Sequence, residues 1–374
     1  MKILFAGNLV NVNYHTVKQL RKDGIDAELL LDPSGTNDPV NIDSNLKNGY
    51  PDWFHIYDRK KSNWKLVVIK TMRNKKFDLI HASAELPIFT NFSRKPFIVQ
   101  ALGSDFRELW LENSIKGKLL KRAYRKSKVI LFSMPDHIPI YKKSGLKNGI
   151  FLPLIVDTSI FTPQIIQNNP FKDKFVILHA TSLIWNIKGN DLLINGFAEF
   201  IKKYPNSLLI IIERGIDSKR TSSLVHSLNL SDKVKFVNGP LDRVELLRYY
   251  NLSDVVADEF ILPAMSGITN EALCCGKPVI TCYPKDDFAG VYTENPPIFN
   301  ANNSIEICKQ LELLTDKKRR KEIGKKGREW IIKNNNPHIY SLKLKIIYES
   351  VLHGDNIDKI RENLKKITPL RSMN

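Results

Sequence analysis

Short continuous apolar runs alternate along the chain with stretches whose apolar positions recur every three to four residues. Lys2 to Ala6 reads as a buried strand ending in Gly7-Asn8, Tyr14 to Lys22 as a helix stopping at Gly24, and Ala27 to Leu31 as a second strand. Helix Lys65 to Asn74 follows, then strand Phe77 to Ala82 with His81 at its end. Strand Pro96 to Leu102 delivers Gly103-Ser-Asp-Phe-Arg107 to a loop at the same sheet edge, and Val129 to Met134 is the last clear strand of this half. The second half repeats the scheme with strands Phe175 to His179, Leu208 to Glu213, Val234 to Val237, Asp254 to Phe260 and Pro278 to Cys282. Helices Ser218 to Leu228 and Arg243 to Tyr250 separate them. Ser304 to Leu314, Asp316 to Lys333 and Pro337 to Leu352 are helical, and Ile357, Ile360, Leu364 and Ile367 stripe a last helix. Strands apolar on both faces and separated by helices predict parallel, doubly wound α/β sheets with right-handed crossovers.

Two stretches break the alternation. Asp32 to Trp64 is rich in Asp, Asn, Pro and Gly around the aromatic patch Trp53 to Tyr57, and reads as a long insertion. Polar Gln164 to Asn169 reads as a linker. At 374 residues two domains are expected: 1–165, 166–345, and terminal helices 346–374 that return at least partly to the first domain.

The amino terminus lacks a signal-peptide design, and no apolar stretch approaches the roughly eighteen residues a spanning helix needs. Cysteines 274, 275, 282 and 308 show no metal-type or disulfide spacing. A reducing, cytoplasmic setting is expected, soluble or peripheral on the inner membrane face. Net charge is +18, and residues 1–165 hold 26 Lys/Arg against 15 Asp/Glu, so anionic partners come into view. Lys116 to Lys128 carries seven cations and no acid, with Leu119, Leu120, Ala123 and Tyr124 as an apolar stripe. Such a helix suits either an anionic leaflet or a solvated face packed on the core. No nucleic-acid module is present, and nucleic acid is not an expected partner.

The chemistry concentrates after the apolar run Val255 to Leu262. Ser266 and Gly267 stand as cap-type residues before a short helix reaching Cys275, so the first-turn amides through Ile268 and Thr269 form an anion site. Glu271 follows one turn later on the same face, placed to accept hydrogen bonds from a ribose. Together they read as a nucleotide-diphosphate site. Metal-ligand spacing is absent, so neither metal nor cofactor is expected.

The string Glu271-Ala-Leu-Cys-Cys-Gly-Lys-Pro-Val-Ile280 resembles the donor-site signature of retaining GT-B glycosyltransferases of family 4. The resemblance extends tightly over 175–282 and loosely over 1–163, where Asp157, Phe161 and Pro163 match an interdomain string. It implies two Rossmann-like domains facing across a cleft, a terminal helix crossing back, and metal-independent transfer of a sugar from a nucleotide-sugar to a glycan or lipid-linked acceptor. Lys188-Gly189 matches the diphosphate-binding Lys-Gly of the family, while Ser182 stands where its arginine is usual and Pro263 where its first glutamate is usual. Arg214, at the end of strand Leu208 to Glu213, is the candidate to restore the cation. By the same resemblance Lys188, Asp105 and Glu271 are the candidate catalytic residues. Ser182, Lys188, Arg214, Gly267, Ile268, Thr269 and Glu271 bind the donor, and Asn8, His81 and Arg107 face the acceptor. The loop from Pro284 to Asp287, with Tyr292 and Glu294, is expected to cover the donor. A catalytically degenerate binder and a GT-B nucleotide-sugar epimerase are the alternatives.

Overall fold

The computed structural model describes residues 1–34, 38–285, 291–292 and 294–367. The chain divides into two compact units, Met1–Ile155 with Asn335–Asn374, and Val156–Asn334. The sequence boundaries near 165 and 345 stand beside divisions at 155/156 and 334/335.

In the first unit β1 (Lys2–Ala6), α1 (Val12–Lys22), β2 (Asp26–Leu31), β3 (Phe54–Ile56), α2 (Trp64–Met72), β4 (Leu79–Ser83), α3 (Pro87–Thr90), β5 (Phe97–Ala101), α4 (Ile115–Lys126), β6 (Ile130–Phe132), α5 (His137–Ser144) and β7 (Gly149–Phe151) follow in order. The strands form one sheet, β3-β2-β1-β4-β5-β6-β7, parallel throughout. Alternation along β1 sends Ile3 and Phe5 into one core and Leu4 and Ala6 into the other, so both faces are covered. Gly7 bends the chain away at φ +100°, where a Cβ would stand 2.8 Å from the Ser83 carbonyl oxygen.

In this unit two strands sit where the pattern showed none. The insertion Asp32 to Trp64 contains β3, which extends the sheet beside β2, and its aromatics Trp53 and Phe54 pack into the core with Tyr14. Val129 to Met134 is not the last strand of the half, because β7 pairs with β6. Strands this short carry too few residues to display a period. His81 lies mid-strand in β4 rather than at its end.

In the second unit β8 (Phe175–His179), α6 (Trp185–Lys188), α7 (Asn190–Lys203), β9 (Ser207–Glu213), α8 (Ser218–Ser227), β10 (Val234–Asn238), α9 (Arg243–Leu252), β11 (Val255–Ala257), α10 (Gly267–Cys274), β12 (Val279–Thr281), β13 (Phe299–Asn300), α11 (Ser304–Leu313) and α12 (Lys317–Asn335) build the parallel sheet β10-β9-β8-β11-β12-β13. Gly276 ends α10 at φ +67°, and α12 crosses so near that a Cβ on Gly324 would meet the Gly276 carbonyl oxygen at 1.9 Å. The Cys-Gly-Lys-Pro string therefore has a packing reason alongside any chemical one.

The chain then rejoins the first unit through α13 (Pro337–His353) and α14 (Ile357–Lys365). Asn336 caps α13 by accepting from the His338 and Ile339 amides, and Pro337 opens it. Tyr340, Leu344, Ile347, Tyr348 and Val351 fill the core beside α1, and the Arg361 guanidinium takes the Lys147 and Gly149 carbonyl oxygens at the β7 edge.

Candidate functional site

In the second sheet β8 lies between β9 and β11, so chain connections leave it in opposite directions. This is a topological switch point, where the carboxyl ends of parallel strands open a crevice for ligands. β8 ends there at His179 and β11 at Ala257, and both continue into polar residues.

Asp258, fully buried, is the knot of the crevice. It accepts hydrogen bonds from the Thr181 hydroxyl beyond β8, from Ser266 at the start of α10, and from Thr269 Oγ1 at 2.6 Å. Ser266 accepts in turn from the Thr269 amide at 3.2 Å and so caps the helix. The Gly267 and Ile268 amides precede the first intrahelical bond and face the end of α10 as donors.

The adjacent Glu259 is 1% exposed and forms an ion pair with Lys188, at the end of α6. The loop is zipped to α6 through the backbone as well, Phe260 N donating to Lys188 O at 2.8 Å and Leu262 N to Ile187 O at 3.2 Å. Behind them His179 donates from Nδ1 to the Ala257 carbonyl at 2.8 Å and accepts at Nε2 from Asn190 Nδ2 at 2.8 Å. Those partners fix the neutral tautomer, and burial holds its pKa below the usual histidine range.

Glu271 is half-buried as a residue, but its carboxyl lies deep, and burial pushes its pKa up to about 7 from 4.5. The Tyr250 hydroxyl donates to it at 2.9 Å, and the charges of Arg243 and Arg214 pull the other way without prevailing. Burial raises the Tyr250 pKa well above the ordinary value. Arg214 is anchored on the same edge by donating to the Ala180 carbonyl at 3.1 Å. Ser182 is half-buried, and its carbonyl accepts from Asn190 at 3.3 Å.

The expected donor residues Ser182, Lys188, Arg214, Gly267, Ile268, Thr269 and Glu271 thus gather at one switch point. Sequence reading did not find Asp258, Thr181, Tyr250 or the His179–Asn190 pair as parts of it. Their signal was present in the polar residues that follow two apolar strands, but pairing across 77 positions is invisible in a local pattern. Asp286 and Asp287 of the expected covering loop lie outside the described residues. Tyr292 and Glu294 pack against α12, Tyr292 with its ring 4.9 Å from Trp330 and Glu294 O accepting from Trp330 Nε1 at 2.8 Å.

The candidates of the first unit are spread through its interior. Asp105, 5% exposed, accepts from the Leu102 and Gly103 amides at 3.2 and 2.7 Å and from the Tyr124 hydroxyl at 2.8 Å, so it braces the turn after β5. Burial raises its pKa. Arg107 is paired with Asp136 through two nitrogens. His81, fully buried, donates from Nε2 to Gln100 at 3.0 Å and accepts at Nδ1 from Tyr348 at 2.7 Å, and burial lowers its pKa to about 3. Asn8 folds its own turn, donating to Asn11 Oδ1 at 2.8 Å and accepting from the Tyr14 amide at 2.9 Å. Among the described residues no group of three or more His, Cys, Asp or Glu is arranged to hold a metal ion.

Residues 161–330 match the family described as Glycosyl transferases group 1. An alpha-monoglucosyldiacylglycerol synthase of Acholeplasma laidlawii is 30% identical over 138 residues, 36% of this chain and 33% of that protein. An uncharacterized glycosyltransferase of Methanocaldococcus jannaschii is 31% identical over 117 residues, 30% of this chain and 27% of its own. The matches span about a third of these relatives' length. Anabaena HepE, solved in complex with UDP-glucose, superposes with a TM-score of 0.75 at 15% identity over 94% of this chain and all of that one. Sucrose-phosphate synthase from Thermosynechococcus elongatus gives 0.71 at 15% identity over 95% and 100%. At such identities the likeness speaks for the fold, which is GT-B.

Proposed function

We propose, from the match of residues 161–330 to the Glycosyl transferases group 1 family, that the chain moves a sugar from a nucleotide-diphosphate sugar to an acceptor hydroxyl. The observation that carries the reading is the meeting of Lys188, the first turn of α10 and Glu271 at the β8/β11 switch point. The donor is a uridine nucleotide, a choice supported by structural neighbours solved with UDP and UDP-glucose.

The barrier in such a transfer is departure of the diphosphate, so stabilising its developing charge is the largest lever. The Lys188 ammonium and the Gly267 and Ile268 amides supply that stabilisation, with Arg214 as a second cation in place of the arginine absent at Ser182. Lys188 is already held by Glu259, so the diphosphate takes over a positioned ammonium rather than ordering a flexible one. Glu271 accepts from the ribose hydroxyls while Tyr250 orients it. The transfer proceeds with retention, the leaving phosphate oxygen taking the acceptor proton as the new glycosidic bond forms. No dedicated base and no metal are assigned a step. The acceptor is a glycan or lipid-linked glycan, in keeping with the positive first half and with the likeness of part of the chain to an alpha-monoglucosyldiacylglycerol synthase.

Purified protein with UDP-glucose and an acceptor panel tests the reading through release of UDP. Lys188→Ala and Glu271→Ala should each lose about a hundredfold or more in turnover with unchanged circular dichroism. Arg214→Ala should raise the donor KM. Full activity in either of the first two variants refutes the assignment, and conversion of the sugar nucleotide without acceptor would replace transfer by epimerisation.

A further inference from the structure

Lys188 and Glu259 meet in a way that sugar transfer does not by itself require. The Glu259 side chain is 1% exposed and takes the Lys188 ammonium, while the Lys188 side chain keeps 22% of its surface open. Neither partner is free to retreat. The Glu259 carbonyl is pinned to the end of β12, accepting from Cys282 N at 2.7 Å and from Thr281 Oγ1 at 3.0 Å. Lys188 ends the four-residue α6, whose Ile187 and Lys188 carbonyls hold the Leu262 and Phe260 amides just after Glu259. The pair is therefore a fixed part of the crevice. Lys188 and Arg214 are cations of this edge, and Asp258 and Glu259 are anions beside them. A diphosphate arriving at the first turn of α10 adds two negative charges where Glu259 already holds one of the cations.

Glu259 acts on such a ligand in two opposed ways. Keeping Lys188 in place spares the rotamer freedom of one side chain, about thirtyfold in affinity at most. An extra anion about 6 Å from a phosphate, at the effective dielectric of a half-buried site, weakens binding by on the order of a hundredfold. Repulsion wins, and it grows with the charge of the ligand. Transfer breaks the bond between the anomeric carbon and the terminal phosphate oxygen. The electron pair stays on that oxygen, and the acceptor proton lands there. A phosphate monoester ionises a second time near pH 6. Near neutrality this proton passes to water, and the nucleoside diphosphate carries one negative charge more than the donor did.

On the strength of the donor assignment above, we propose that Glu259 is a positioning residue that competes with the diphosphate for Lys188 and acts more strongly against the product than against the donor. It loosens the nucleoside diphosphate once the sugar has gone, and so sets the rate of product release.

Calorimetric titration with UDP, UDP-glucose and the β-methyl ester of UDP tests this at about pH 7.5, where the terminal phosphate of UDP is ionised. The methyl ester keeps the donor's charge without its sugar. Native protein should bind it about threefold or more tighter than UDP. Glu259→Gln, whose amide oxygen still accepts from Lys188, should tighten UDP by about tenfold and the methyl ester by less, so that the preference disappears. In turnover the same variant should lower donor KM and kcat together, whereas Glu259→Asp, which keeps the charge, should retain the native order of the two ligands. A purely structural Glu259 gives the opposite sign, because a disordered Lys188 weakens all three ligands. Weaker or unchanged UDP binding in a Glu259→Gln chain of native melting temperature overturns the proposal. So does a native protein that prefers UDP to its methyl ester, a result that needs no variant to fold. Native protein that binds no uridine nucleotide, or UDP binding that Lys188→Ala retains in full, refutes the donor assignment itself and takes this proposal with it.

Discussion

Glu271 holds its proton over a range where an ordinary glutamate has lost it. Its pKa is about 7 folded against 4.5 in the open chain, because burial penalises the anion more than Tyr250 and two arginines relieve it. Between those values the folded state binds a proton that the unfolded chain has released. The contribution to stability is therefore full below 4.5, declines as pH rises toward 7 and is lost beyond. Glu271→Gln removes this titration. Its gain in thermal stability over the native chain should be on the order of 1–2 kcal/mol larger at about pH 8 than at about pH 5, after allowing for partial exposure. Parallel melting curves at the two pH values would show that the carboxyl is not shifted. Glu271 itself was legible in the sequence from its distance to Gly267. Its partner Tyr250 was not, because it arrives from α9 and nothing local links the two.

Among the elements, β4 and α13 are fastened to each other through His81. His81, Gln100, Ser133, Tyr340 and Tyr348 form a buried chain of hydrogen bonds that ties the middle of the sheet to the returning helix. Tyr348→Phe keeps the ring but leaves His81 Nδ1 without a donor, and should cost about 1–3 kcal/mol. A denaturation midpoint shifted at constant slope would register it, and an unshifted midpoint would mean that water replaces the hydroxyl. The sequence pattern placed β1, β2, β4, β5, β6, β8, α12 and α13 within a residue or two. It missed β3, β7 and β13, whose two or three residues derive their extended form from a neighbouring strand rather than from their own composition.

For the whole molecule the decisive feature is that the first unit is completed by the last stretch of the chain. Tyr340, Leu344, Ile347, Tyr348, Val351 and Ile360 are all at most 5% exposed in its core. Burial of such side chains is worth roughly 2 kcal/mol each, a sum comparable with the entire stability of a domain. A chain ending after Asn334 should therefore lose the calorimetric transition of the first unit and expose residues 1–155 to protease. Val156–Asn334 should keep its own transition. A truncated chain with two intact transitions would contradict this.

Periodicity is a property of neighbouring residues, and it was enough to point to parallel α/β architecture and to a polar edge where strands give way to glycine, serine and lysine. The Ser266–Gly267 cap was likewise readable, because a helix start is written in a few consecutive positions. Tertiary structure alone decided which polar groups at those edges are already spoken for. Asp105, His81, Arg107 and Asn8 stand out in the sequence as candidates, and each holds hydrogen-bond or ion-pair partners within the first unit. Lys188, Glu259, Asp258 and Glu271 come together only because β8 and β11 lie side by side. A side chain's chemistry is fixed by its type, but its pKa and its freedom to meet a ligand depend on neighbours that the chain brings from far away.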